Sequence, residues 1–238
     1  MLYDKFLNRY TVTGKLIAID PIHIGSSSKN SLNPIDVDDA VLKDNNGRPI
    51  IPGASVKGVV RSYFESVLRG IDEEKACIVL DNGNKCCTEK KENKQKFENI
   101  KDPLEKAKAV YECSCDVCRL FGGREFAGKL QFKDCYLIGE PSYERRDGVA
   151  IDRNTGAAKG KAKYDFEVIS KDSEFEFYLT ADNLDEQQKK YFDFILNAMQ
   201  EGNLSVGGKT TRGLGRFKVS DLKVDVITAD ALKEKLGL

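Results

Sequence analysis

Six cysteines of the chain fall into two groups that could together ligate a metal ion. The downstream group lies in the sequence CSCDVC, where Cys115 and Cys118 have the spacing of a zinc knuckle, and the upstream group begins at Cys77. Four thiolates from two such groups can surround Zn²⁺ tetrahedrally. We expect a structural zinc ion with the ligands Cys77, Cys87, Cys115 and Cys118. Cys86 and Cys113 are close to these ligands in the sequence and could each replace one of them.

The segment that carries five of these six cysteines, residues 71–117, is predicted to be a zinc-binding insert. It is rich in Lys and Glu and can bury little apolar surface, so a bound metal ion would replace the missing core. The alternative is that its cysteines are unliganded thiols. The remaining cysteine, Cys135, alternates inward on a predicted strand and is expected in the hydrophobic core.

The composition limits the class of protein and the kind of ligand. With 238 residues, of which 40% are hydrophobic and 32% charged, the chain is long enough for one large globular domain. The first residues, MLYDKFLNRY, lack the apolar core of an export signal, and no apolar run approaches a membrane span. We expect a cytoplasmic protein with reduced cysteines and no membrane partner. Lys+Arg and Asp+Glu are equal at 38 each, so a polyanion would have to bind at a local site.

Three windows combine glycine with Lys or Arg and contain no acidic residue, namely 45–64, 153–164 and 202–220. Glycine lets backbone N–H groups approach an anion, and the cations neutralise phosphate. In the first window Lys57 and Arg61 lie four residues apart on one predicted helix face, near a helix N-terminus that favours anions. The three windows together predict a site for a phosphate chain. A simpler interpretation of the first window is a solvated helix face, and of the second window a flexible hairpin. The third window lacks the spacing of a nucleotide-binding phosphate loop.

Hydrophobic periodicity predicts two helices, at 54–70 with Ser55 as its N-cap, and at 184–200. It predicts strands at 10–20, 129–138, 164–170, 174–180 and 214–227. Without the loops and one of these five strands, the order strand, helix, strand, strand, helix, strand predicts an α+β fold, a single ferredoxin-like or RRM-like domain spanning residues 1–238. Long excursions interrupt this plan at 21–53, 71–117 and 140–162.

Five stretches occur in the order typical of the RAMP superfamily: PIHIGS, VLKDNNGRPIIPGASVKGVVRS, CDVCRLFGG, GVAIDRNTGAAKGKAKYDFEVI and GGKTTRGLGRFKV. On these motifs the chain resembles the backbone subunits of type III CRISPR effector complexes, from about residue 12 to residue 220. The cysteine-rich insert resembles the zinc-bearing branch of that family. The resemblance implies an RRM-like core with inserted loops that polymerises along a guide RNA.

The resemblance also implies which residues contact RNA, since some cations lie inside the matching motifs. The predicted RNA contacts are the cations Lys57, Arg61, Arg153, Lys209 and Arg212, together with the neutral side chain of Ser55. It makes the segment 140–162 a thumb hairpin, which separates guide from target at regular intervals. The implied partners are guide RNA, target RNA, further copies of the chain and other subunits of the complex. Such binding should weaken with added salt, because each neutralised phosphate releases counterions.

A catalytic aspartate is implied by the resemblance within the sequence NPIDVDDAVLKD. Counting back from VLKD places it at Asp38, although Ala40 replaces the usual proline and Asp36 is an alternative register. A loop carboxylate can position hydrated Mg²⁺ or another divalent metal ion, or orient the ribose 2′-OH for attack on the adjacent phosphate. We expect metal-dependent endoribonuclease activity in the assembled complex, with Asp39 contributing little. A solvated acidic loop is the alternative from composition alone.

His23 is the single histidine of the chain. A buried histidine with satisfied ring nitrogens is the interpretation we favour, and a general base for RNA cleavage is the alternative. Two other functions therefore stay open beside the leading one. The first is a purely structural backbone subunit without cleavage activity, and the second is a ribonuclease that processes guide precursors with His23 as its base.

Overall fold

The computed structural model of the chain describes residues 3–26, 39–78, 86–123 and 126–237, and the side chains of all of these except 159–162. Nine β-strands and six α-helices run through this described part. The strands are β1 (Asn8–Ala18), β2 (Ile50–Ile51), β3 (Leu130–Phe132), β4 (Cys135–Ile138), β5 (Tyr143–Ile151), β6 (Ala158–Ile169), β7 (Glu174–Asp182), β8 (Leu204–Ser205) and β9 (Arg216–Thr228). The helices are α1 (Gly53–Ile71), α2 (Lys91–Glu98), α3 (Pro103–Cys113), α4 (Asp116–Phe121), α5 (Glu186–Glu201) and α6 (Ala229–Leu236).

A seven-stranded antiparallel sheet organises the fold. Its strand order is β2-β4-β7-β1-β9-β8, with β3 also paired to β7. The central strand β1 pairs with β7 on one side and with β9 on the other. Alternate residues of β7 point into the core, since Phe175, Phe177 and Leu179 are at most 3% exposed. The predicted period-two pattern of this strand is therefore confirmed.

Helices α1 and α5 contribute apolar faces to the same core as the sheet. The predicted helical spacing is confirmed, because α1 buries Val56, Val60, Phe64 and Leu68, and α5 buries Phe192, Ile195, Leu196 and Met199. The start of α1 differs from the prediction. The helix begins at Gly53 after Pro52, so the prediction of Ser55 as N-cap is wrong. Pro52 has no N–H to lose and its φ of −60° already suits a helix, which explains the earlier start.

Two predicted strands are arranged differently in the structure. The segment predicted as one strand at 129–138 forms β3 and β4, which are separated by Lys133 and Asp134. The segment predicted at 164–170 is the end of β6, which pairs with β5 in a separate two-stranded sheet rather than with β7. This hairpin continues to Ile169, beyond the range 140–162 predicted for it.

The cysteine-rich segment contains α2, α3 and the start of α4. Asp102 caps α3 by accepting the N–H of Glu105 at 2.8 Å, and Pro103 opens the helix. Contrary to the expectation that this segment buries little, Val110, Tyr111 and Val117 are at most 8% exposed. Every helix in the described part of the chain is too short or too polar to cross a bilayer.

Candidate nucleic-acid interface and metal centre

The first turn of α1 is tightly packed against the connection between β3 and β4. A Cβ atom at Gly53 would meet the carbonyl oxygen of Phe132 at 2.5 Å, so only glycine fits here. The N–H of Gly53 donates to Asp134 Oδ1 at 2.8 Å. One of the N–H groups at this helix end that have no partner within the helix is therefore bound to a carboxylate of the protein. The side chains of Ser55 and Lys57 follow it and are half-buried.

The two cations of α1 have different surroundings. Burial lowers the pKa of Lys57, and the charge of Arg61 lowers it further. Within the described residues Lys57 has no carboxylate partner. Arg61 donates from Nε to Glu65 Oε1 at 2.8 Å and from Nη1 to Gly122 O at 3.1 Å, and its Nη2 lies 3.6 Å from Cys118 Sγ. The structure thus leaves Lys57 available to an anion and engages Arg61 inside the protein.

The glycine-rich loop after β8 folds back onto the start of the excursion 21–53. Gly207 has a φ of +88°, and a Cβ atom there would overlap the carbonyl oxygen of His23. The N–H of Gly208 donates to that same oxygen at 2.8 Å. At the other end of the loop, the N–H of Gly215 donates to Pro21 O at 2.9 Å. Glycine is required at 207 by both the positive φ and the close approach.

The side chains of Lys209 and His23 meet at the carboxylate of Asp39. Lys209 Nζ lies 2.7 Å from Asp39 Oδ2, and His23 Nε2 lies 3.0 Å from the same oxygen. The other ring nitrogen of His23 lies 2.7 Å from the carbonyl oxygen of Glu167. Burial raises the pKa of Asp39, but the hydrogen bond from Lys209 and the charge of His23 outweigh it and lower the pKa overall. His23 is 3% exposed and paired at both nitrogens, as its interpretation as a buried histidine requires.

The glycine-rich loop also contacts the base of the β5–β6 hairpin. Arg212 is exposed and donates from Nη1 to the hydroxyl of Tyr164 at 2.7 Å. Lys209 Nζ lies 4.6 Å from the centre of the Phe166 ring, which stacks with Tyr164. Arg153 is exposed in the turn between β5 and β6. Of the six predicted RNA contacts, the structure therefore groups Lys209 and Arg212 at the hairpin base and places Arg153 in the hairpin turn.

Asp38 and the alternative Asp36 lie outside the described residues, which resume at Asp39. The backbone of Asp39 is paired with β6, because its carbonyl oxygen accepts the N–H of Glu167 at 3.0 Å. The assignment of catalysis to Asp38 stays a prediction.

Four thiols converge beside α1. The sulfur atoms of Cys77, Cys86, Cys115 and Cys118 all lie within 4.8 Å of one another. Those of Cys77 and Cys118 are 3.6 Å apart. Sulfurs placed about 2.3 Å from the centre of a tetrahedron are about 3.8 Å from each other, so this donor set suits a zinc-sized ion. The N–H of Cys118 points at Cys115 Sγ at 3.5 Å, as in a metal-binding knuckle.

Cys87 does not belong to this group. The prediction of Cys87 as the fourth ligand is therefore corrected, and Cys86 takes its place. Cys87 forms a disulfide with Cys113, which also removes Cys113 as a substitute ligand. The two consecutive cysteines face different partners because a 3-10 turn begins at Cys87, directly after Cys86. The disulfide departs from the expectation that all cysteines are reduced. Cys135 is 1% exposed in the core, as predicted.

Hydrogen bonds among the four clustered thiols shift their pKa values in opposite directions. A bond with Cys115 lowers the pKa of Cys86, and a bond with Cys118 lowers the pKa of Cys115 to about 7. Bonds with Cys115 raise the pKa of Cys77 and of Cys118. A metal ion bound to the four sulfurs would take them as thiolates.

Two contacts of this site were not predicted from the sequence. Asp39 and Lys209 are 170 residues apart, so no local pattern links them. The contact of Arg61 with Cys118 was missed because both fall in motifs for which another role was expected. The consecutive cysteines at 86 and 87 did indicate that one of the two belongs to the cluster of four cysteines.

Comparison with known proteins places the chain in a family. The chain belongs to the RAMP superfamily, whose family model matches residues 15–218. It is similar to the CRISPR system Cms endoribonuclease Csm3 of Methanocaldococcus jannaschii, with 24% identity over 238 residues that cover 92% of this chain and 84% of that protein. It is also similar to the protein of the same name from Enterococcus italicus, with 23% identity over 248 residues that cover 97% of this chain and 99% of that protein. A shorter match, to the protein of that name from Methanothermobacter thermautotrophicus, has 34% identity over 74 residues.

Proposed function

We propose that this chain is a guide-RNA-binding backbone subunit of a type III CRISPR interference complex, and that it cleaves bound target RNA. The observation that carries the proposal is the similarity to two proteins named CRISPR endoribonucleases, over 92% and 97% of this chain. The match to the RAMP superfamily over residues 15–218 supports it. Copies of the chain assemble along the guide together with the other subunits of the complex.

In this proposal the guide backbone follows a surface that runs from the start of α1 to the glycine-rich loop. Ser55 and Lys57 lie in the first two turns of α1, and Lys57 has no carboxylate partner among the described residues. Arg212 is exposed beside the hairpin base, where its hydroxyl partner on Tyr164 leaves other guanidinium nitrogens free to meet a phosphate. Lys209 already forms an ion pair with Asp39. It would bind phosphate only if this ion pair broke.

The architecture assigned to this subunit is a ferredoxin-like core with two additions. The core consists of the strands in the order β4-β7-β1-β9 with α1 and α5. The β5–β6 hairpin, with Arg153 in its turn, is the thumb that separates guide from target. The cysteine-rich segment is the second addition, and a zinc ion held by Cys77, Cys86, Cys115 and Cys118 stabilises it.

Cleavage is assigned to Asp38, which would position the ribose 2′-OH, or a divalent ion near it, for attack on the adjacent phosphate. Attack by the 2′-oxygen forms a bond to phosphorus while the bond to the 5′-oxygen breaks. The 2′-hydroxyl proton leaves during attack, and the departing 5′-oxygen takes up a proton. The nucleophile thus comes from the RNA itself, and a single carboxylate is sufficient for the positioning role.

The test is to assemble the complex on a guide of known sequence and to add labelled complementary RNA with Mg²⁺ or with a chelator. The expected result is a set of fragments at regular intervals with Mg²⁺ and intact RNA with the chelator. A target that is bound but left intact under both conditions would assign the chain a structural role in the complex. Cleavage of guide precursor by the isolated chain would instead indicate a processing ribonuclease.

A further inference from the structure

Arg61 uses its guanidinium for contacts within the protein rather than for the surface where the sequence predicted an RNA contact. Its side chain is 23% exposed, and its three nitrogens are directed at Glu65, Gly122 and Cys118. Lys57, one turn earlier on the same helix, has none of these partners.

Two of the three contacts fall on the short helix α4. Nη1 donates to the carbonyl oxygen of Gly122, which caps the end of α4, and Nη2 approaches the sulfur of Cys118 in its first turn. Cys118 is one of the four clustered thiols. One planar guanidinium therefore spans α4 from a sulfur ligand to the helix end. A lysine in its place could reach one of these acceptors but could not bridge both.

The negative charge of the four-cysteine cluster around a metal ion explains why a cation contacts it. Four thiolates around a divalent cation carry a net charge of about −2 and are largely buried in this protein. Among the described residues, Arg61 is the cationic side chain that contacts a sulfur of the group. Arg69 also reaches the group, but it donates to the carbonyl oxygen of Cys77 at 3.1 Å rather than to a sulfur. Glu65 fixes the guanidinium from the opposite side, with 14% of its own side chain exposed.

We propose that Arg61 is a positioning residue of the metal centre, holding the Cys118 thiolate by a charge-assisted hydrogen bond and fixing α4 against α1. This inference rests on the proposed zinc site. Partners that orient the ligands of a metal ion contribute strongly to its retention. The two cations of α1 then have separate tasks, with Lys57 facing RNA and Arg61 facing the thiol group.

The experiment measures the rate at which zinc passes from the purified full-length protein to a coloured chelator. Arg61→Met should release zinc about 10 to 100 times faster than the wild-type chain. Arg61→Lys should release it at an intermediate rate, and Lys57→Met serves as the matched control with the wild-type rate. In Co²⁺-loaded protein, Arg61→Met should shift the thiolate-to-cobalt absorption band, whereas Lys57→Met should leave it unchanged. Guide-RNA binding should be reduced more by Lys57→Met than by Arg61→Met in zinc-loaded protein.

The outcomes separate the inference from the site on which it rests. Wild-type protein that contains no zinc after chelator-free purification overturns both the proposed metal site and the role of Arg61. Zinc-loaded wild-type protein whose Arg61→Met variant releases zinc at the wild-type rate overturns the role of Arg61 alone. If Arg61→Met does not fold, Arg61→Lys and Glu65→Gln carry the test, since both retain a side chain of similar size. Wild-type release rates in both of these variants also overturn the inference.

Discussion

Asp39 Oδ2 lies 2.7 Å from Lys209 Nζ, and this contact joins the segment before β2 to the glycine-rich loop after β8. His23 shares the same carboxylate oxygen at 3.0 Å. The side chain of Lys209 is 17% exposed and that of Asp39 is 40% exposed, so the ion pair lies at the edge of the core. A cation that the sequence assigned to phosphate therefore also fastens two distant segments of the chain.

The first prediction concerns this ion pair. Asp39→Asn should lower the free energy of unfolding at pH 7 by about 0.5–1 kcal/mol, because the pair is partly solvated. The pKa of Asp39 is lowered in the folded state, so its contribution is present above the unfolded pKa of about 4 and is lost as the pH falls through the lower folded value. Urea unfolding should show a larger difference between wild type and variant at pH 7 than near pH 3. Asp225→Asn, at an exposed position, is the control, and equal differences at both pH values would contradict the prediction.

The second prediction concerns cleavage. If Asp38 positions the reacting groups as proposed, Asp38→Ala should abolish cutting of complementary RNA by the assembled complex. Guide and target binding, measured by gel shift, should stay at wild-type levels. Undiminished cutting by this variant would reject Asp38 and direct attention to Asp36. Asp225→Asn serves as a control that changes charge without changing the loop.

The third prediction concerns the salt dependence of RNA binding. The logarithm of the binding constant should fall linearly with the logarithm of the salt concentration, because phosphate contacts release counterions. Lys57→Met should reduce this slope by about 0.7, the value for one contact to single-stranded nucleic acid. Arg212→Met should do the same. Lys233→Met, on the exposed C-terminal helix α6, should leave the slope unchanged. Identical slopes for all these proteins would remove Lys57 and Arg212 from the RNA interface.

The fourth prediction concerns the choice between two adjacent cysteines. Wild-type protein should contain about one zinc ion per chain, and Cys86→Ser should lose most of it because one of four sulfur ligands is removed. Cys87→Ser should retain the metal, since Cys87 pairs with Cys113 outside the thiol group. Elemental analysis and thermal unfolding of the two variants provide the comparison. Metal loss in Cys87→Ser but not in Cys86→Ser would restore the ligand set expected from the sequence.

The fifth prediction concerns Lys129, which is 2% exposed and donates from Nζ to Asn183 O and to Gln188 Oε1, each at 2.5 Å. Burial lowers its pKa to about 8. Between pH 8 and the unfolded pKa of about 10.4 the unfolded chain binds more protons, so stability should rise with pH by on the order of 1 kcal/mol. Urea unfolding at pH 7.5 and pH 9.5 measures this rise. It should disappear in Lys129→Met and persist in Lys133→Met, an exposed neighbour, and a rise that persists in both would reject the assignment.

Local patterns predicted the parts of the fold that depend on burial within one element. The apolar face of α5 and the alternation of Phe175, Phe177 and Leu179 follow from spacing alone, because each pattern reports a single buried face. Strand pairing was harder to predict. The end of β6 has the composition of a core strand, yet it pairs with β5, a choice that depends on partners elsewhere in the chain.

The candidate site shows the same division between local and distant information. The thiol group was predicted from spacing, but Cys86 and Cys87 are equivalent in sequence, and only the course of the backbone separates them. The partners of Arg61 and Lys209 are determined by tertiary packing. A motif can indicate that a cation is important without telling which anion it meets.

The β5–β6 hairpin has a hydrogen-bond ladder of its own, running from Tyr143 opposite Ile169 to Ile151 opposite Ala158. Its described links to the rest of the chain fall near its base, where Phe166 meets Asp39 and Ile169 meets Ile22. Adding or removing residues in pairs at the turn would therefore change its reach without shifting the register of any strand in the seven-stranded sheet. The hairpin is thus a part of the molecule whose length evolution or an engineer could alter independently of the stability of the core.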